Sequence, residues 1–256
     1  WLFYILLAKI FRCKIYFFNY LIKPEKKVRN YLHYLIADKI YVKTKKDVIN
    51  MKYHYLGNLK LLSTSIVQSN KKLSETTIII SSAGKDEIDL HLTYIKNLLQ
   101  IYQNIKIIYV TRHLNWKNLL LKKISHLDYF WCENNEKNID QIPNKLIVCW
   151  CYGMLNYLYS KSHICLMGDT FNNVGGHNLI EPAINQNVVI VGPNYHTCSD
   201  LANIIQTIYV KNESDLISKT KKIIDNNSFI QIGKMNKNIV LKNQTEINVK
   251  LNKIIT

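Results

Sequence analysis

The chain has 256 residues, 48% hydrophobic and 20% charged, the balance of a globular protein long enough for one large domain or two modest ones. That composition excludes a small disulfide scaffold, a collagen and a coiled coil. Lys+Arg number 34 against 18 Asp+Glu, a formal net charge of +16. Such a charge suits a polyanionic partner: nucleic acid, an anionic membrane surface or a phosphorylated substrate. The lysines are spread out, however, and Lys, Asn, Ile and Tyr are used heavily throughout, as an AT-biased genome would also produce. Nucleic acid is disfavoured, because no zinc-finger spacing, aromatic RNA-binding signature or basic-region zipper occurs.

The opening run WLFYILLAKIF (1–11) is too short to span a bilayer and lacks the flanks of a secretory signal, so it predicts a buried helix opening a β/α unit. Lys14–Asn19 predicts a strand, Pro24 to Ala37 a helix, and Ile40–Val42 a second strand, with Thr44 capping a helix behind it. Gly57–Leu61 is a turn, and the weakly periodic stretch after it reads as a linker. These signals divide the chain into 1–60, the remainder of an N-terminal domain, a linker at 61–76, and a C-terminal domain at 77–256.

Strands are predicted at Thr77–Ser82, Ile105–Val110, Asp128–Cys132, Leu146–Cys149, Ile164–Met167 and Val188–Val191. Helices are predicted at Glu87–Ile101, Trp116–Ile124 and Leu155–Tyr159, and the Lys-rich tail from Asn212 is helical. Alternating helices and continuously apolar strands make an α/β fold, a parallel sheet covered on both faces. The six cysteines (Cys13, Cys132, Cys149, Cys151, Cys165, Cys198) form no CxxC pair and no zinc spacing with histidine, so free thiols and no metal are expected.

Glycine is scarce, 8 in the chain, yet Gly168, Gly175, Gly176 and Gly192 fall in one stretch, GDTFNNVGGHNLIEPAINQNVVIVGPNYH. The loop from Gly168 to Gly176 leaves the carboxyl end of a predicted strand, where parallel sheets bind ligands. Asn178 can cap a helix beginning at Leu179, with Glu181 at its third position, as in a capping box. The glycine pair before that helix would let free N–H groups meet a phosphate or a carboxylate. A plain strand-to-helix turn gives the same pattern.

The run Gly175-Gly176-His177-Asn178-Leu179-Ile180-Glu181-Pro182, followed by Gly192-Pro193, resembles the signature of the 3-deoxy-D-manno-octulosonic acid (Kdo) transferases of lipopolysaccharide biosynthesis. Val110-Thr111-Arg112-His113 looks like that family's strand-end Pro-Arg-His, with Thr for Pro, and Gly57-Asn58-Leu59-Lys60 matches its domain junction. Trp1 and Asn19 fall where the family has similar residues. The resemblance implies the GT-B type, two Rossmann-like domains with parallel sheets, the N-terminal one incomplete here.

It further implies an inverting, metal-independent transfer of Kdo from CMP-Kdo to a lipid A precursor (lipid IVA), with no cofactor besides the donor substrate. Glu181 would accept the ribose hydroxyls. Gly175, Gly176, His177 and Asn178 would line the phosphate and the sugar carboxylate, and Arg112 would pair with one of those anions. His113 would orient Arg112, touch the nucleotide or simply pack at the strand end. Ser81, Ser82, Gly153 and Thr170 have fewer motif matches behind them as donor contacts. A peripheral position at the cytoplasmic face of the inner membrane, on an anionic surface, follows from the lipid acceptor; no transmembrane segment is expected in this chain.

The chain departs from the family pattern in three places. The Ser-Thr-(His/Arg)-x-Gly-Glu loop stands here as Ser81 to Glu87 (SSAGKDE), keeping the serine pair, Gly84 and the trailing acids. The Asp-Thr-x-Gly-Glu-Leu run is WCYGML (150–155), without its two acids. The first half of the acceptor domain, with the anchor and the general-base glutamate, falls outside the chain, which as written is expected to bind the donor and not to catalyse. Two alternatives stay open: another GT-B nucleotide-sugar transferase, or a non-catalytic nucleotide-binding remnant.

Overall fold

Short apolar runs become strands wherever both faces can be covered, and here they build two parallel sheets. The computed structural model describes residues 2–22, 24–64, 72–133 and 139–255. Trp1 and residues 65–71 of the expected 61–76 linker lie outside the described residues. The chain divides into two units, Trp1–Ser63 with Lys242–Thr256, and Thr64–Leu241. Its last fifteen residues thus group with the first unit, whereas the sequence assigns them to the C-terminal domain.

The first unit contains α1 (Leu2–Ile10), β1 (Tyr16–Tyr20), α2 (Lys27–Ile36), β2 (Lys39–Val42) and β3 (Tyr53–Tyr55), with the strands parallel in the order β1–β2–β3. Tyr20, Ala37, Ile40, Val42 and Tyr53 form its core. The apolar opening run is helical as expected but not buried: Phe3, Tyr4, Ile10 and Phe11 are each at least 67% exposed. At nine residues it is a short helix, anchored at the edge of the unit by a Lys9–Asp38 ion pair. Thr44 caps no α-helix. A single 3-10 turn, Lys45–Asp47, follows it, and its hydroxyl donates to Asp47 Oδ2 at 2.6 Å instead of accepting a backbone N–H.

The second unit begins with β4 (Thr76–Ala83), α3 (Ile88–Ile101), β5 (Ile105–Thr111), α4 (Lys117–Ile124), β6 (Tyr129–Cys132) and β7 (Leu146–Cys149). It continues through α5 (Leu155–Lys161), β8 (Ile164–Met167), α6 (Ile180–Ile184), β9 (Val188–Val191), α7 (Ser199–Ala202), β10 (Thr207–Tyr209), α8 (Glu213–Asp225) and the start of α9 (Phe229–Ile255), whose residues from Lys242 on belong to the first unit. All seven strands are parallel, in the order β10–β9–β8–β4–β5–β7–β6. Every residue of β5, β7, β8 and β9 is buried, which explains their unbroken apolar runs.

The three-residue strands β3 and β10 carry too little pattern to be predicted from sequence. The Lys-rich tail breaks between α8 and α9, where Asn227 takes a left-handed φ of 50°. The chain lays down β4 and β5, places β6 at the edge and β7 between β5 and β6, then returns to place β8 on the other side of β4. That reversal opens a crevice at the carboxyl ends of β4 and β8, beside the end of β5, where doubly wound sheets bind their ligands.

Candidate functional site

Two non-glycine residues in left-handed conformation mark this crevice: Ser82 in β4 (φ 53°) and Asp169 just after β8 (φ 58°). Left-handed backbone is disfavoured for both and persists only where the surroundings impose it. Around Asp169 they do. Its N–H donates to Glu87 Oε2 at 2.6 Å, and its carbonyl accepts the N–H groups of Gly175 and Gly176 at 2.9 and 2.8 Å. Its Oδ1 accepts the Asn172 side-chain amide at 2.7 Å. Gly84 makes room for the carboxylate, since a Cβ there would sit 2.0 Å from Asp169 Oδ1.

The other carboxylate oxygen gathers the two expected polar residues. Oδ2 lies 3.0 Å from Arg112 Nη1 and 2.9 Å from His177 Nε2. Arg112 Nη1 also stands 2.6 Å from the same imidazole nitrogen. Nε2 cannot serve both neighbours at once: protonated it donates to Asp169, and unprotonated it accepts from Arg112. Burial by itself would raise the Asp169 carboxyl. Hydrogen bonds from His177 and Asn172, with the His177 and Arg112 charges, outweigh it and hold the group below the ordinary carboxylate value. Arg112 Nη2 and Nε make no hydrogen bond among the described residues, so one edge of the guanidinium stays available.

The glycine pair acts differently from the sequence expectation. Gly175 and Gly176 are left-handed, at φ 96° and 84°, but their N–H groups are not free for an anion, because both are taken by the Asp169 carbonyl. The helix after them, α6, has five residues, too few for an N-terminal dipole site. It starts at Ile180, one residue later than expected. Asn178 Oδ1 accepts the Ile180 N–H at 3.1 Å, and its amide donates to Glu181 Oε1 at 2.9 Å. Glu181 is thereby aimed by Asn178 and returns no capping-box bond. It is half-buried, and its Oε2 makes no hydrogen bond among the described residues.

The remaining expected residues divide. His113 is exposed beside Arg112 at the end of β5, and Gly153 is an exposed left-handed turn (φ 83°) between β7 and α5. Ser81 is 0% exposed, its hydroxyl among the sulfurs of Cys165 and Met167, so the core holds it away from any ligand. Thr170 is likewise 0% exposed. Its hydroxyl donates to the Met167 carbonyl at 2.6 Å and accepts the Gly192 N–H at 2.8 Å, which makes it a brace for the loop. Ser82 is half-buried at the crevice. Sequence reasoning missed Asp169 and Glu87. An acid directly after the strand-ending Gly168 was the available signal for Asp169; nothing local distinguished Glu87 from the acids around it.

Among the described residues no group of three His, Cys, Asp or Glu could hold a metal ion, and no helix is long and apolar enough to cross a membrane. No protein-family model matches the chain. The 3-deoxy-D-manno-octulosonic acid transferase of Aquifex aeolicus is 28% identical over 214 residues, covering 79% of this chain. The chain is a homologue of the Kdo transferases. The enzyme of the same name from Rickettsia prowazekii is 24% identical over 75% of the chain. The chain spans 58% of the length of the first of these Kdo transferases and 45% of the second.

Solved structures show the fold to be GT-B. The C-terminal CMP-Kdo binding domain of WaaA from Acinetobacter baumannii superposes with a TM-score of 0.56 at 16% identity, covering 65% of this chain and 89% of that domain. A glycosyltransferase from Rickettsia africae covers 98% of this chain and 78% of its own, with a TM-score of 0.60 at 13% identity.

Proposed function

We propose that the chain is the donor-binding part of a Kdo glycosyltransferase, which moves Kdo from CMP-Kdo to a lipid A precursor with inversion and without a metal. Homology to proteins named Kdo transferase over 79% of the chain carries this reading. The crevice supports it chemically. Arg112, fixed at one corner by Asp169, presents its free edge to the donor phosphate. As the bond to the anomeric carbon breaks, charge grows on the departing phosphate, and a guanidinium already aimed there stabilises it without reorganising.

Glu181, aimed by Asn178, takes the ribose hydroxyls through its free oxygen. The acceptor is a lipid A precursor at the cytoplasmic face of the inner membrane, a setting in keeping with the net charge of +16. Calorimetry on the full chain with CMP, CMP-Kdo and UDP- and GDP-sugars tests the donor class. Tighter binding of the CMP ligands is expected; preference for a UDP- or GDP-sugar would reassign the donor, and no binding to any nucleotide would end the reading.

A further inference from the structure

The loop that carries the crevice hangs on a carboxylate that meets no solvent. Glu87 sits in the 3-10 turn Lys85–Glu87 that follows β4, with a side chain 1% exposed. Its Oε2 accepts the Asp169 N–H at 2.6 Å, and its Oε1 accepts the N–H groups of Phe171 and Asn172 at 2.6 and 3.3 Å. Three donors from one loop converge on a group that, ionised, has only acceptors, a match that no neutral side chain of this shape reproduces. His91 and Tyr109, the other polar groups facing this carboxylate, do not compete for it. The His91 Nε2 is 3.7 Å away, and neither its ring nitrogens nor the Tyr109 hydroxyl have a hydrogen-bond partner.

We infer that Glu87 is a positioning residue for donor binding: it imposes the left-handed turn at Asp169 and, through Asp169, the direction of the free edge of Arg112. The inference rests on the donor-binding reading above. The chain of contacts is continuous. Glu87 fixes the Asp169 backbone, the Asp169 carboxylate fixes Arg112 and His177, and the Asp169 carbonyl ties down the glycine pair. Without the carboxylate, the buried Asp169 N–H and the half-buried Phe171 and Asn172 N–H groups lose their acceptor and the turn has no reason to stay left-handed.

Glu87→Gln in the full chain tests this, because glutamine keeps the shape but turns an NH2 toward donors. Loss of a charge-assisted anchor predicts CMP binding weakened about tenfold or more, while cytidine, which has no phosphate for Arg112, loses less than about twofold. Unchanged CMP affinity, or equal losses for CMP and cytidine, would overturn the inference. Should the Gln variant fail to fold, hydrogen exchange on the unaltered chain decides: the Asp169, Phe171 and Asn172 amides are expected to be protected like the strands, and exchange at exposed-loop rates overturns it. Should the unaltered chain bind no CMP, the donor reading fails. The exchange measurement then still reports whether Glu87 holds the turn.

Discussion

Arg112 meets Asp169 through a single nitrogen: Nη1 stands 3.0 Å from Asp169 Oδ2, and the opposite edge of the guanidinium makes no hydrogen bond among the described residues. An arginine held at one corner has lost its rotational freedom before a ligand arrives, so an anion on its open edge binds without the cost of ordering a long side chain. Asp169→Asn removes the charge that does the holding. CMP affinity is expected to fall about tenfold, and Arg112→Ala to cost at least as much. Because both act through one contact, the double variant should lose little more than Arg112→Ala alone. Losses that add in calorimetry would show that Asp169 does not work through Arg112.

Glu181 presents a carboxylate with one oxygen bonded to Asn178 and the other open, a pairing that suits a vicinal diol. Glu181→Ala should weaken CMP at least about tenfold, the worth of hydrogen bonds to a charged group. It should leave thermal stability nearly unchanged, because the side chain is only half-buried. The 2′-deoxy analogue separates roles: the unaltered chain should prefer CMP over dCMP, and Glu181→Ala should bind the two alike. A preference that survives the substitution would place Glu181 away from the ribose.

The seven-stranded sheet was legible because its inner strands are covered on both faces, and runs such as TIII, IKIIYV and VVIV need no partner to declare themselves. The short strands β3 and β10 were not, since three residues carry no periodicity. At the crevice, Arg112, His177 and Asn178 could be picked out, because each stands beside a strand end or a glycine turn. What sequence could not supply was the direction of the backbone N–H groups. GG before a short helix reads as an anion cradle, yet here those N–H groups close the loop onto Asp169. Glu87 acts through loop amides 82 residues further along the chain at Asp169, a relationship with no local pattern.

The glycine turn gives a stability test. Gly175 has a φ of 96°, and a Cβ there would lie 2.5 Å from the His196 ring. Gly175→Ala therefore carries a backbone penalty and a clash, together about 2–3 kcal/mol. Adding His196→Ala removes the clash and leaves the backbone penalty, so the double variant should recover about 1 kcal/mol in urea unfolding. No recovery would mean that the ring moves aside at no cost and that backbone conformation alone requires glycine.

His91 links the crevice to pH. Its ring is fully buried against Tyr109, with the centroids 5.8 Å apart, and burial drives its pKa down to about 3 against the opposing Asp169 charge. In the unfolded chain the ring titrates near its ordinary value of about 6.5. Between those values the unfolded chain holds a proton that the folded chain refuses, so stability falls as pH drops from about 6.5 toward 3. The slope for one such group is about 1.4 kcal/mol per pH unit. His163, lowered to about 4 by burial and the nearby Lys72 charge, adds a similar contribution. His33 is lowered as well, by burial and Arg29. Urea unfolding between pH 6.5 and 5 also reads Lys72, lowered to about 7 by burial, and Glu87, raised by burial, so the His91 share is taken as the difference between the unaltered chain and a His91 variant. His91→Met should remove about one proton's worth of that slope and leave the contributions of His163, His33, Lys72 and Glu87 in place. If the variant loses as much stability between those pH values as the unaltered chain, the buried ring is not what refuses the proton.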